Sequence, residues 1–184
     1  APHLAVEEAA ALAGFAVVEP AWLPSDYAYD AVAYNPAASA VCLYYRYPYE
    51  EAPSLAIAET PAGTLPSVAD LQMVATYNGQ PVEIAADVRT VPVGGALNGM
   101  AQLAYTGLDA SRLCGGEEWS ANMALLWQAG DRNFIIFGHI DQYDGRGSLT
   151  QMEAQQLAEG LTGVATIPAG TPDPGRLASV EAAE

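Results

Sequence analysis

The stretch VCLYYRYPYEE, residues 41–51, places four tyrosines beside one arginine and two glutamates. Tyrosine has an apolar ring and a hydroxyl that can stay hydrated, so it suits both a sheet interior and a polar binding surface. Pro48 lacks an N–H and ends a paired strand, which frees its neighbours for exposure. With one tryptophan further along the chain, the candidate ligand-binding residues are Tyr47, Tyr49, Glu50, Glu51 and Trp119.

The residue types and their spacing give little indication of a catalytic site. A glycosidase needs two carboxylates that face each other, which a sequence does not show. The glutamates available for this role are Glu50, Glu51, Glu59, Glu117 and Glu118. A serine–histidine–acid triad would depend on His3 or His139, and the place of His139 at a strand end favours a structural role. The motifs G-x-S-x-G, H-E-x-x-H, Walker A and G-x-G-x-x-G are absent. We therefore expect neither enzymatic activity nor a cofactor.

The two cysteines, Cys42 and Cys114, lack the spacing of a zinc or C-x-x-C redox site. Cys42 and Cys114 either form one disulfide or remain two buried thiols. Glycines follow Cys114, and a covalent bond would hold such a glycine-rich loop in place, which favours the disulfide. Closing a loop of about 70 residues stabilises by roughly 4 kcal/mol in the chain-entropy model. Residues 141–145, DQYDG, lack the spacing of an EF-hand and are typical of a turn, so we predict no metal site.

The charge of the chain limits the classes of partner. The 184 residues include 22 acidic and 6 basic ones, all six of them arginine, for a net charge of −16. Such a surface repels nucleic-acid phosphates and anionic membranes, so we expect no nucleic acid as a partner. No apolar run of about 18 residues is present, which predicts no membrane insertion by this chain. Its abrupt start suits a secreted protein, or an ectodomain with a signal or membrane anchor upstream.

Two β-hairpins are predicted with particular clarity. Alternating residues in 27–35 and 40–47 flank the turn signal Asn35-Pro36 and predict the first hairpin. Two apolar runs within 123–140 meet at Gly130-Asp131 and predict the second. Both hairpins place adjacent strands antiparallel.

The period of two in the second strand assigns its side chains to faces. Leu43 and Tyr45 fall on one face, which we expect to pack against helices. Tyr44 and Arg46 fall on the other. Most of the tyrosine cluster is thereby explained by sheet packing, and the residues next to Pro48 are left as the contact surface.

Further elements complete the prediction. Strands are expected at residues 15–18, 54–60, 81–91 and 100–107, with Val82 and Ile84 pointing inward. Helices are expected at residues 4–13, in a short turn after Ser67, and from Thr150, where TQME forms a capping box.

These elements predict an α+β fold: a large, mostly antiparallel sheet of six to eight strands, with the N- and C-terminal helices packed on one face. One domain should span residues 1–163, followed by a Pro/Gly/Ala-rich tail at 164–184. The residues expected to be largely buried in its core are Trp22, Leu23, Leu125, Trp127, Phe134, Ile136, Leu157 and Leu161.

The segments AGFAVVEPAWLPSDYAYDAVAY, VCLYYRY and LAIAET, followed by ALLWQAGDRNFIIFGHI and SLTQMEAQQLAEGL, resemble a bacterial extracytoplasmic domain family of unknown function. Its members often follow the membrane helix of anti-sigma-factor-like or lipoprotein-like proteins. The resemblance covers residues 13–162 and departs from the family pattern at Asp26, where glycine is usual. It implies a location outside the cytoplasm, where disulfides persist, and a binding or sensing role.

Three functions follow as alternatives. The first is a non-catalytic extracytoplasmic binding or sensor domain for a protein or small-molecule ligand. The second is a carrier of a lipid or other apolar ligand, similar to periplasmic lipoprotein carriers, which would need a dry cavity of several hundred Å³. The third is a carbohydrate-binding or hydrolytic domain, which exposed coplanar aromatic rings would favour.

Overall fold

The computed structural model describes residues 4–24, 26–63, 65–94, 99–140 and 149–164. These residues form four helices and nine strands. The helices are α1 (Val6–Ala13), α2 (Val68–Leu71), α3 (Ser111–Cys114) and α4 (Gln151–Val164). The strands are β1 (Ala28–Asn35), β2 (Ala40–Arg46), β3 (Leu55–Pro61), β4 (Ala75–Tyr77), β5 (Gln80–Val82), β6 (Asp87–Val93), β7 (Gly99–Asp109), β8 (Ser120–Ala129) and β9 (Arg132–Gly138).

The described residues build one seven-stranded antiparallel sheet in the order β1-β2-β3-β9-β8-β7-β6, beside a separate pair, β4-β5. Both predicted hairpins are confirmed, as β1-β2 and β8-β9. Gly130 has φ 60° in the second turn, a left-handed conformation that glycine adopts without a steric penalty. The pairing of β3 with β9 joins the two halves of the chain at the centre of the sheet. The predicted α+β class is therefore confirmed.

Both terminal helices pack on one face of this sheet. The core there joins residues of α1 and α4 to buried strand residues such as Leu43, Tyr45 and Leu125. The predicted capping box of α4 is present, since the Thr150 N–H donates to Glu153 and the Glu153 N–H donates to the Thr150 hydroxyl. The side chains that α4 buries completely are Ala154, Leu157, Ala158 and Leu161.

The opposite face of the sheet is rich in alanine, which allows a thin layer of chain to lie close against it. Its buried alanines are Ala40, Ala56, Ala58, Ala104, Ala121 and Ala124. The short helices α2 and α3 cover this face through buried residues that include Leu71 and Leu113. At the end of α3, Cys114 is bonded to Cys42 on β2, with 5.7 Å between the Cα atoms. The predicted disulfide is confirmed, and it attaches the covering layer to the sheet.

Loss of this disulfide should destabilise the folded protein. The variant Cys42→Ala with Cys114→Ala is expected to lower the free energy of unfolding by about 2–4 kcal/mol, because the bond closes a long loop in the unfolded chain. Denaturant unfolding measures the change, and thiol labelling of the unreduced, denatured wild type verifies that no free thiol is present. A loss below about 1 kcal/mol would show that the covering layer holds without its bond.

Three local predictions are wrong or only partly right. Residues 15–18 form no strand, because the side chains of Glu59 and Arg132 bind this extended segment instead of a neighbouring strand. Residues 81–91 are not one strand: β5 leaves the main sheet to pair with β4, so Val82 and Ile84 are 42% and 54% exposed rather than inward. The other predicted core residues are buried, but Trp22 and Leu23 are only half-buried.

Asp26, the position at which the chain departs from the family pattern, has φ 78°. This left-handed conformation is one that glycine adopts most easily.

The turn predicted at 141–145 and the tail from residue 165 onward lie outside the described residues.

Candidate functional site

The loop between β2 and β3, residues 47–54, carries four of the five predicted ligand-binding residues. It is held from within by Ser54, whose hydroxyl donates to the Glu50 carboxylate and accepts from the Tyr47 N–H at 3.3 Å. The Ser54 N–H also donates to the Tyr45 carbonyl at 2.9 Å. The loop is therefore an ordered projection at one end of the sheet.

Four residues of this loop, Tyr47, Tyr49, Glu50 and Glu51, are called the tyrosine–glutamate surface below. Tyr49 is 90% exposed, and Glu50 and Glu51 are also exposed. Tyr47 is half-buried and packs its ring against buried Tyr27, with 5.9 Å between the centroids and 71° between the planes. The position of Pro48 at the end of the strand led to the prediction of this surface, but it gave no signal for Tyr27, which is 20 positions away along the chain.

The rings of Tyr47 and Tyr49 lie 6.5 Å apart at 63°. The two rings are steeply inclined to each other and form no flat platform. A sugar ring stacks best on a flat aromatic surface, so this geometry favours ligands other than the face of a pyranose.

Trp119 lies beneath the loop and supports it. Its indole N–H donates to the Pro53 carbonyl at 2.9 Å, and its ring meets those of Tyr44, Phe137 and His139 edge-on. These contacts leave it half-buried on the alanine-rich face of the sheet. Trp119 is thus joined to the tyrosine–glutamate surface as a support for the loop and is not one of its exposed rings.

The carboxylates of Glu50 and Glu153 carry negative charge at this end of the sheet. Burial raises the pKa of Tyr27, and the carboxylates of Glu153 and Glu50 raise it further. Burial lowers the pKa of His139, while Glu50 and a hydrogen bond with the Ser120 backbone partly offset that change. Glu50 therefore acts on side chains from two other parts of the fold.

The half-buried position of His139 gives the stability a pH dependence with a definite sign. Because its pKa is lower in the folded protein, the unfolded chain binds a proton more readily below about pH 6.5. The free energy of unfolding should therefore fall as the pH decreases from 7 toward 5, and the fall should be smaller in His139→Gln. Denaturant unfolding across this range measures the difference, and equal slopes for the two proteins would contradict it.

The glutamates considered for hydrolysis come from three segments of the chain and differ in burial. Glu59 is fully buried, where its carboxylate meets Arg132 at 3.1 Å and accepts from the Val18 N–H at 2.8 Å. Glu117 and Glu118 are exposed in the segment after α3. Among the described residues, no group of three or more His, Cys, Asp or Glu side chains is arranged to hold a metal ion.

An exposed apolar patch was not predicted. It comprises five exposed side chains in or next to β4, β5 and β6: Val74, Tyr77, Val82, Ile84 and Val88. Three of them, Val74, Val82 and Ile84, line a cavity of about 360 Å³ together with Met73 and Arg112. The available signal was the absence of charged residues from 71 to 82 in a chain that is otherwise strongly acidic.

Comparisons with known proteins add no information on function, so the functional argument rests on the fold and on the tyrosine–glutamate surface. No protein-family model matches the chain, and neither the curated proteins nor the solved structures include a match. No helix in the described part of the chain is long and apolar enough to cross a membrane.

Proposed function

We propose that the protein is a non-catalytic extracytoplasmic binding or sensor domain that contacts its ligand through the tyrosine–glutamate surface. The observation that carries the proposal is the projection of Tyr49, Glu50 and Glu51 from a loop that is itself held by Ser54 and Trp119. Exposed aromatic residues on a rigid support lose little conformational freedom on binding.

The disulfide supports the location outside the cytoplasm. Disulfides persist in oxidising compartments and are rare where thiols are kept reduced. Both sulfur-bearing residues are buried and the bond joins two layers of the fold, which suits a structural bond in a secreted or membrane-anchored ectodomain.

The two alternative functions have less support. A lipid carrier needs a dry cavity under its helices, and in the described part of the chain α4 presents fully buried Leu157 and Leu161 to a core that includes Leu125 and Ile136. Carbohydrate binding is favoured by coplanar exposed rings, whereas Tyr47 and Tyr49 are inclined at 63°.

Amide chemical shifts of the ¹⁵N-labelled protein provide the test. A neutral oligosaccharide, a basic peptide, an acidic peptide and a lysophospholipid are titrated in separate experiments. The proposal requires saturable shifts centred on residues 47–54 for at least one of them. Shifts confined to the apolar patch, or no saturable shift with any of the four, would overturn it.

A further inference from the structure

We propose that the tyrosine–glutamate surface recognises a cationic side chain, above all arginine, on a segment of a protein partner. This inference rests on the proposed function and adds the chemistry of the ligand. It is carried by three features: the exposed ring of Tyr49, the two carboxylates that follow it in the chain, and the pairing of the described arginines elsewhere in the fold.

The exposed ring of Tyr49 suits a cation. A guanidinium or ammonium group is attracted to the face of an aromatic ring within about 6 Å of its centroid. Tyr49 is 90% exposed, so a cation can approach its ring from solvent, and the half-buried ring of Tyr47 lies beside it with 6.5 Å between the centroids. The fold already contains this interaction twice, with Arg89 at 5.7 Å from the Tyr105 centroid and Arg132 at 4.9 Å from that of Phe15.

The charges beside the rings are complementary to a cation. Glu50 and Glu51 follow Tyr49 directly, and Glu50 is close enough to raise the pKa of Tyr27 and to oppose the lowering of the pKa of His139. A carboxylate can accept two parallel N–H bonds from a guanidinium, which adds orientation to the ring contacts.

The described arginines are engaged with other carboxylates. Arg46 pairs with Asp30, Arg89 with Asp87, Arg112 with Asp109 and Arg132 with Glu59. The chain contains no lysine, and its net charge is −16. The four arginines in the described part of the chain therefore have carboxylate partners of their own. The long-range field of the acidic chain would increase the rate at which a cationic partner associates at low salt.

The exposure of Tyr49 favours a side chain on a protein over a free ammonium ion. Tyr49 is 90% exposed, so its ring covers a cation on only part of the surface of that cation. A small ion would keep most of its hydration and gain little. A protein segment adds contacts on either side of the bound residue, as interfaces do around their aromatic and arginine anchors.

The test compares a blocked peptide rich in arginine with the same peptide in which citrulline, which is neutral and of similar shape, replaces every arginine. Tetramethylammonium chloride is the third probe. Amide shifts at residues 47–54 are followed in 50 mM and 300 mM salt. We expect saturable binding of the arginine peptide that weakens at the higher salt, at least fivefold weaker binding of the citrulline peptide, and no saturation with tetramethylammonium.

Variants assign the effect to the surface. Tyr49→Ala with Glu51→Gln should weaken binding of the arginine peptide about fivefold or more, since both side chains are exposed and neither holds the loop. Tyr77→Ala is the matched control, because Tyr77 is a 72% exposed tyrosine on the apolar patch. It should leave the affinity unchanged.

The outcomes separate this inference from the proposed function. If the oligosaccharide or the acidic peptide saturates residues 47–54 and the arginine peptide does not, the surface binds but the cation assignment fails. Equal binding of the two peptides, an unaffected Tyr49→Ala/Glu51→Gln variant, or equally strong binding of tetramethylammonium would also overturn the assignment. If no probe produces saturable shifts there, both proposals fail.

Discussion

Replacing Arg132 with methionine is expected to lower the free energy of unfolding by about 3–5 kcal/mol, because it removes the positive charge that balances the buried Glu59 carboxylate. Arg132 and Glu59 are 3% and 0% exposed, and their charged groups meet at 3.1 Å. The same guanidinium donates to the Ala16 carbonyl and lies over the Phe15 ring. The substitution should therefore also release residues 15–18 from the sheet.

An identical change at an exposed ion pair gives the control. Arg89 pairs with Asp87 at 2.7 Å, and both side chains are at least half exposed. Arg89→Met should cost less than about 1 kcal/mol, since exposed pairs contribute little. Denaturant unfolding of the two variants measures the contrast, and equal losses would show that the Arg132 pair does not anchor the fold.

Trp127→Ala should lower the free energy of unfolding by about 3–5 kcal/mol, as much as Arg132→Met. The ring is 2% exposed and stacks on Phe134 across the β8-β9 hairpin, with 5.2 Å between the centroids and 13° between the planes. Its removal leaves a cavity in the core on the face of the sheet that the helices cover. Denaturant unfolding measures the loss, and a value below 1 kcal/mol would mean that Trp127 is not a core residue.

Trp127→Phe separates ring packing from the polar atom of the indole. The indole N–H of Trp127 has no hydrogen-bond acceptor among the described residues. Phenylalanine keeps an aromatic ring on Phe134 and removes that unpaired donor, so the loss should be only about 1–2 kcal/mol. A loss as large as that of the alanine variant would indicate an acceptor for the indole.

Local patterns were sufficient to predict much of this fold. Alternation in β2 placed Leu43 and Tyr45 against the helices and Tyr44 on the opposite face, as observed. The helical spacing of Leu157 and Leu161 placed them in the core. Such patterns predict burial correctly because apolar residues on a buried face recur at the period of their own helix or strand. This period does not depend on the rest of the chain.

The failures arose where distant residues decide the structure. The sequence offers Glu59 as an available carboxylate, because nothing near it in the chain shows that Arg132, 73 positions away, neutralises it. That same pair removes residues 15–18 from strand pairing. Val82 and Ile84 have the composition of a buried strand, but β5 pairs only with β4 and lies outside the main sheet.

The candidate site was predictable only as a local segment. Tyr47, Tyr49, Glu50 and Glu51 are neighbours along the chain, and Pro48 indicated the end of the paired strand. The roles of Tyr27 and His139 could not be predicted, since they depend on the order of strands in the sheet and on the position of α4.

Thermal unfolding of two variants tests most directly whether Tyr47 and Tyr49 form a surface that is separate from the core. Tyr45 is 3% exposed, so Tyr45→Ala should lower the Tm by roughly 10 °C. The double variant Tyr47→Ala/Tyr49→Ala should lose less than about 5 °C, because Tyr49 is exposed and Tyr47 only half-buried. A double variant that unfolds as readily as Tyr45→Ala would show that the whole segment is core, with no binding surface in it.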